Sequence, residues 1–307
     1  MQINYSMPTK VYFGRGVINK YKADMKVLGD KAFIITGKNS SKKNGSLDQT
    51  KFALESLNID YLIFDEVEEN PSLETIEKAA AIGKEEKVDF IIGVGGGSPI
   101  DAAKAVGVFI KNPQIDGDNV FSHRNLKSLP VVAIPTTSGT GSEVTPYSIV
   151  TVHKEETKKN LNQPNFPSIA YLDSSFTDQL SYNITVNTAI DAFTHLVESY
   201  LNTNATYLTD MYGEKGFELF KDCFDAMLTK KLTKEFRDKV MLASLFAGFN
   251  IAQVGTSLPH GMGYALTYRK GLPHGLANGI LTVEYLRSFK NQDKINKMLN
   301  LIGRADL

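Results

Sequence analysis

The chain has 307 residues, 42% of them hydrophobic and 22% charged, with 34 Lys plus Arg set against 34 Asp plus Glu. That balance leaves no global field to attract nucleic acid or anionic lipid, and no apolar run approaches the ~20 residues that span a bilayer. Cys223 is the single cysteine, which excludes an internal disulfide and fits a reducing, cytoplasmic compartment. The opening MQINYSMPTKVYFGRG has no apolar core after a basic start and does not read as a signal peptide.

The first half alternates two textures. Short β-branched or apolar runs stand at AFIIT (32–36), DYLIF (60–64), DFIIGV (89–94), VVAI (131–134) and IAYL (169–172). Between the first three lie stretches of helical spacing, 48–57 and 73–87. Strands separated by helices predict right-handed crossovers and a mostly parallel sheet, with a ligand crevice beyond the carboxyl ends of its strands.

Two glycine-rich segments leave strand ends. In IIGVGGGSPIDAAK (91–104) a strand runs into Gly95, Gly96, Gly97 and Ser98, and a helix is expected from about Pro99 with Ser98 as its N-cap. Glycines let a backbone approach a phosphate, and a helix N-terminus offers unpaired N–H groups to it. A plain tight turn has the same composition, and the loop follows the third strand rather than the first, unlike the common dinucleotide fingerprint. The second segment, IPTTSGTGSEVT (134–145), carries seven hydroxyl or glycine residues in succession from Thr136 to Ser142. It could surround a ribose or pyrophosphate, although a surface loop would read alike.

From about Thr185 strand signals vanish. Amphipathic stretches follow at 185–203, 207–230, 232–254, 275–290 and 292–302, separated by Gly/Pro turns such as SLPHG (257–261) and GLPHG (271–275). We therefore expect an α/β class with a Rossmann-like parallel-sheet domain over 1–180 and an all-helical domain over 181–307. Three of the five histidines sit in suggestive places in this half. Asp191 and His195, four apart on a helix, share a face. His260 and His274 each occupy a Leu-Pro-His-Gly turn and could converge on the same point. One carboxylate and three imidazoles suit a borderline first-row divalent ion. An Asp/His pair at this spacing is also a common surface hydrogen bond, and His123 and His153 read as ordinary polar residues.

Taken together, GGGSPIDAAK, IPTTSGTGSEVTPYSI, DAFTHLVESY and HGMGYALTYRKGLPHG resemble the iron-containing (group III) alcohol dehydrogenase family. The resemblance runs from YSMPTKVYFGRG to about residue 290. It implies a dinucleotide-binding domain followed by a helical metal-binding domain. It also implies hydride transfer between a nicotinamide cofactor and a small alcohol or aldehyde, with a metal as Lewis acid. Asp191, His195, His260 and His274 would be the ligands of Fe(II), which Zn can replace. Gly96, Gly97, Ser98 and Asp101 would surround the pyrophosphate. Thr136, Thr137 and Ser142 would line the adenine-to-nicotinamide path, Lys159 would reach a ribose hydroxyl, and Asn70 matches another cofactor-contacting position. Pro146, Tyr147 and Ile251 match pocket positions, and their apolar character points to a small aliphatic primary alcohol or diol. Family members are commonly dimers or larger homo-oligomers. No nucleic acid or membrane partner is implied.

Departures from the family pattern refine this reading. Members that prefer NAD commonly carry an Asp after the first sheet strand, where this chain has Gly37 in IITGKNSSKKNG. Without that carboxylate a 2′-phosphate is not repelled, and Ser40, Ser41 and nearby lysines supply donors, so NADP(H) is expected over NAD(H). Tyr264 stands where several members have a further histidine, which puts a proton path through that side chain in doubt. The chain also ends tens of residues earlier than is usual. Two related chemistries compete: a zinc-dependent polyol dehydrogenase of glycerol dehydrogenase type, and a lyase resembling dehydroquinate synthase. A full set of four ligands favours iron over the first. The scarcity of basic residues around the histidine turns disfavours the second.

Overall fold

The structure, a computed structural model, describes residues 3–290 and 292–306. Strand β1 (Lys10–Phe13) leads through helices α1 (Val17–Tyr21) and α2 (Ala23–Lys26) to β2 (Lys31–Gly37). Then come α3 (Ser40–Lys43), α4 (Ser46–Glu55), β3 (Asp60–Val67), α5 (Leu73–Glu85), β4 (Phe90–Gly95) and α6 (Gly97–Lys111). β5 (Val131–Pro135), a hairpin of β6 (Ile149–Val152) and β7 (Thr157–Asn160), and β8 (Ile169–Leu172) follow. The remainder is helical: α7 (Tyr182–Tyr200), α8 (Tyr207–Leu228), α9 (Lys234–Val254), α10 (Leu258–Lys270), α11 (His274–Arg287) and α12 (Asp293–Leu301). Contacts divide the chain into two compact units. One comprises Pro8–Thr136 and Ser142–Gln179. The other comprises Leu180 onward, the five residues Thr137–Gly141 and the described residues up to Met7.

In the first unit, six parallel strands lie in the order β1-β8-β5-β4-β2-β3. The five strands expected from apolar runs are all present; β1 and the hairpin were not foreseen, being four-residue strands of mixed burial. Alternation sorts side chains onto two faces. Phe33, Ile35 and Ile91 join Ile76 of α5 and Val106 of α6 on one, while Ile34, Ile92 and Val132 join Ile18 of α1 and Leu54 of α4 on the other. Because both faces are covered, β4 and β5 are buried along their whole length. β3 and β4 flank β2 on opposite sides, so the order of winding reverses between β2 and β4, the kind of point at which parallel sheets bind ligands.

In the helical unit, Leu196, Val197 and Tyr200 of α7 pack with Phe217 and Phe220 of α8, Val240 and Ala247 of α9, and Met298 of α12. The segment read as Gly/Pro turns is instead largely α10, with SLPHG forming its start. Pro259 falls in its first turn, where a missing N–H costs nothing, and Pro273 directly precedes α11. No single helix among the described residues is long and apolar enough to cross a membrane.

A buried cation organises the strand-end loops of the sheet unit. Lys104, on α6, is fully buried. Its ammonium donates to Ser142 O at 3.0 Å, Ser142 Oγ at 2.7 Å, Thr145 O at 3.3 Å and Tyr147 O, and pairs with Asp101 Oδ1 at 3.1 Å. Asp101 in turn accepts from Ser142 Oγ and from Ile149 N at 3.0 Å. Burial pulls the Lys104 ammonium below its ordinary value, against the attraction of Asp101 and Glu143. Replacing Lys104 with Met removes the ammonium that this carboxylate and these carbonyls share, and should lower unfolding stability by about 3–5 kcal/mol, read from the urea midpoint.

Glu143 lies beside this cluster, where burial pushes its carboxyl up from 4.5 to about 7 against its own backbone hydrogen bond and the Lys104 charge, with Asp101 adding to the rise. Between those two values the folded chain keeps a proton that the unfolded chain has released. Stability should therefore fall as pH rises through that window, by up to about 1.4 kcal/mol per pH unit. Denaturation at a series of pH values should show the slope in the parent and its loss in Glu143→Gln.

Candidate cofactor loops and metal centre

The loop after β4 is tighter than its sequence suggests. Helix α6 begins at Gly97 with Gly96 as N-cap, and no side chain caps its first turn. Ser98, expected as the cap, instead accepts a hydrogen bond from Asn70 N at 3.0 Å. Gly96 and Gly97 thus present first-turn N–H groups at the end of a 15-residue helix, a geometry that fits a phosphate. Thr136 N donates to Gly95 O at 2.8 Å, joining the ends of β4 and β5. Thr136 and Ser142 are buried rather than carried on an exposed loop. Asp101 spends its carboxylate on Ser142, Ile149 and Lys104, as described above, and Thr137 belongs to the helical unit.

Asn70 has left-handed φ (59°) and is held on three sides. Besides its bond to Ser98, its carbonyl accepts from Thr151 Oγ1 at 2.8 Å and its Oδ1 from Lys158 Nζ at 2.6 Å. The structure gives two neighbouring lysines different partners. Lys159 pairs with Glu155 at 2.5 Å and lies over the Phe121 ring, whereas its neighbour Lys158 is the residue brought to Asn70. Adjacent residues of β7 point to opposite faces, which separates the two side chains.

At the end of β2, Gly37 is half-buried and Ser40 exposed. Ser41, expected to donate to a 2′-phosphate, is fully buried with its hydroxyl 2.7 Å from Thr36 Oγ1, and Lys42 pairs with Asp65 at 2.5 Å. Lys38 and Lys43 are exposed. Of the expected pocket residues, Pro146 and Tyr147 lie in the sheet unit, Ile251 and Tyr264 in the helical one. Ile251 is buried, and the Tyr264 ring stacks on that of His274 at 5.4 Å.

Within the helical unit, α7 supplies Asp191 and His195 one turn apart, both buried. The first turn of α10 supplies His260, and α11 starts at His274. One ligand-type atom from each of Asp191, His195 and His260 lies within 4.8 Å of the others. His274 stands just outside this trio: its Nε2 is 3.8 Å from Asp191 Oδ1, and its side chain is 29% exposed. The structure therefore brings three of the four expected ligands together and sets the fourth against their carboxylate.

Outer partners orient these rings. His195 Nδ1 lies 3.1 Å from Gly139 O, and as donor to that carbonyl it leaves Nε2 as the bare nitrogen. Gly139 is needed for this approach, since a Cβ there would sit 2.6 Å from Thr188 O. His260 Nδ1 is hydrogen-bonded to Glu198 Oε1. Its Nε2 is buried without a hydrogen-bond partner among the described residues, 3.4 Å from Asp191 Oδ1. Asn278 Nδ2 donates to Asp191 Oδ1 at 3.0 Å and to His274 Nε2 at 3.2 Å. Sequence reasoning missed Glu198, Asn278 and Gly139. Only the first two left a signal: Glu198 is seven residues after Asp191, and Asn278 four after His274, each on the same helix face.

The electrostatics are those of a cation site. Burial alone would raise the Asp191 carboxyl, but the imidazoles of His195, His274 and His260 hold it well below the carboxylate range. Burial pushes His195 down to about 4, so the ring is neutral, as a ligand must be. His260 would also fall through burial, but contacts with Asp191 and Glu198 outweigh that and raise it to about 9. Two buried carboxylates thus require a positive charge between them, which either a proton on His260 or a divalent ion can supply. The neutral His195, the buried His260 Nε2 and the carboxylate–histidine pairing all fit the ion.

Comparison with known proteins places these features in context. Residues 8–174 match the family model described as iron-containing alcohol dehydrogenase, and residues 185–305 match the C-terminal model of the Fe-containing alcohol dehydrogenase family. The chain is 30% identical to the NADPH-dependent butanol dehydrogenase of Clostridium saccharobutylicum, over 99% of this chain and 80% of that protein. It is also 30% identical to the lactaldehyde reductase of Escherichia coli K12, over 90% of this chain and 73% of that one. A crystal structure of an iron-containing alcohol dehydrogenase superposes with a TM-score of 0.94 at 39% identity, covering 99% of this chain and 84% of its own. That of an iron-containing alcohol dehydrogenase from Thermotoga maritima gives 0.90, also at 39% identity, with 98% and 83% covered.

Proposed function

Since the chain belongs to the iron-containing alcohol dehydrogenase family and is a metal-dependent alcohol and aldehyde oxidoreductase, we propose that it interconverts small aliphatic primary alcohols and aldehydes using NADP(H), with Asp191, His195, His260 and His274 holding Fe(II). The observation that carries this reading is the buried convergence of Asp191, His195 and His260, with two imidazoles anchored from outside. When bound, the ion supplies Lewis acidity toward the substrate oxygen and the nicotinamide supplies or accepts the hydride. The protein's own part is positioning. Gly139 fixes the ring of His195, and Asn278 holds the Asp191 carboxylate. In the sheet unit, the α6 N-terminus and Asn70 support the cofactor, and Lys158 takes the ribose-contacting role in place of Lys159. Apolar Ile251, buried in the helical unit, favours a short hydrocarbon substrate.

The cofactor preference rests on Gly37. A carboxylate there would repel a 2′-phosphate, whereas Ser40, Lys38 and Lys43 remain exposed to receive one. After anaerobic removal of metal, butanal-dependent NADPH oxidation should appear only on adding a divalent ion, Fe(II) foremost. Its kcat/KM should exceed that with NADH. Gly37→Asp should move the ratio toward NADH about tenfold or more, through like-charge repulsion. Equal rates with both cofactors in the parent would sink the NADP(H) assignment. His274→Ala should lose both metal retention and turnover, and a variant that kept both would remove His274 from the ligand set.

A further inference from the structure

Glu198 is fully buried, in contact with a proposed ligand, and not assigned a role by the motifs. It stands on α7 seven residues beyond Asp191 and three beyond His195, so all three point to one side of the helix. Its two oxygens are divided between two tasks. Oε1 accepts from His260 Nδ1. Oε2 accepts from Ser257 N and, at 3.1 Å, from Ser257 Oγ. Ser257 is the N-cap residue of the 13-residue helix α10, and its own side chain caps nothing. Glu198 therefore takes the N-cap N–H of α10, as the N3 side chain of a capping box would, and places a negative charge at the positive end of its dipole.

From this geometry we infer that Glu198 is a positioning residue for the metal, one that sets the tautomer and aim of His260 through the N-terminus of α10. The inference rests on the ligand set proposed above. A proton fixed on Nδ1 leaves Nε2 as the bare nitrogen, and that atom lies 3.4 Å from Asp191 Oδ1. The same carboxylate fixes the backbone from which the ring hangs, so both the rotation of the imidazole and the position of its helix depend on α7. One helix thus contributes two ligands directly and the orientation of a third.

Co(II) affinity of the full 307-residue chain, measured by competition with a chelator, tests this. Glu198→Gln cannot accept from both His260 and Ser257. It should weaken Co(II) binding about 10–100-fold and alter the visible Co(II) spectrum while circular dichroism stays that of the parent. Glu198→Asp keeps the charge but withdraws it by one methylene, and should fall between the two; if the Gln variant does not fold, this one decides. Ser257→Ala touches the same carboxylate but not His260, and should leave Co(II) affinity close to the parent value. Parent-like Co(II) affinity and spectrum in a folded Glu198 variant would overturn the inference. His260→Ala separates the two readings: if it retains Co(II) fully, the ligand set itself is wrong, whereas loss there with none in the Glu198 variants refutes the positioning role alone.

Discussion

Two carboxylates on one helix, Asp191 and Glu198, are taken almost wholly out of water. Isolated, each would cost several kcal/mol, so α7 can be buried only if partners of opposite charge or strong donors come to it. Much of the helical unit answers that demand. The beginnings of α10 and α11 arrive with His260 and His274, Asn278 reaches Asp191 from one turn further along α11, and the Ser257 backbone closes on Glu198. The apolar side of the same helix is set among phenylalanines, with Phe193 meeting Phe217, Phe220 and Phe224 edge to face. Hydrocarbon packing decides where α7 lies, and its polar side decides what gathers around it.

The sheet unit solves a comparable problem with the opposite charge. Lys104 brings one buried ammonium to the carbonyls of Ser142, Thr145 and Tyr147, and so ties the segment from Ser142 to Tyr147 to α6. Asp101 serves there as an internal counter-ion. That use accounts for an acidic residue beside a loop suited to phosphate, where a free carboxylate would repel the ligand. The burial of Lys104 and the course of residues 142–147 are thus bound together, because its acceptors include the backbone of that segment.

The sheet was largely legible because strands buried on both faces must be continuous apolar runs, and AFIIT, FIIGV and VVAI are such runs. The histidines were legible for a different reason: spacing on a helix and a repeated tetrapeptide stand out in a chain poor in histidine. What escaped depended on tertiary neighbours. α10 carries two glycines and a proline within its first six residues, and only docking explains why it is a helix. Ser98 looks like a cap until Asn70 N is found on its hydroxyl. Lys158 and Lys159 are chemically identical, and only the pleat of β7 tells them apart. Glu198 was visible inside DAFTHLVESY, but its importance comes from His260, 62 residues away.

The carbonyl that orients His195 comes from residues 137–141, five residues that belong to the helical unit although sheet-unit chain flanks them on both sides. A gene cut at residue 180 would therefore yield a helical fragment with every histidine of the cluster and no Gly139 to orient the first of them. On the ribosome the same fact imposes an order. The pentapeptide emerges well before α7, so His195 reaches its partner only after the helical half has been synthesised, and the cluster matures late however early the sheet is complete.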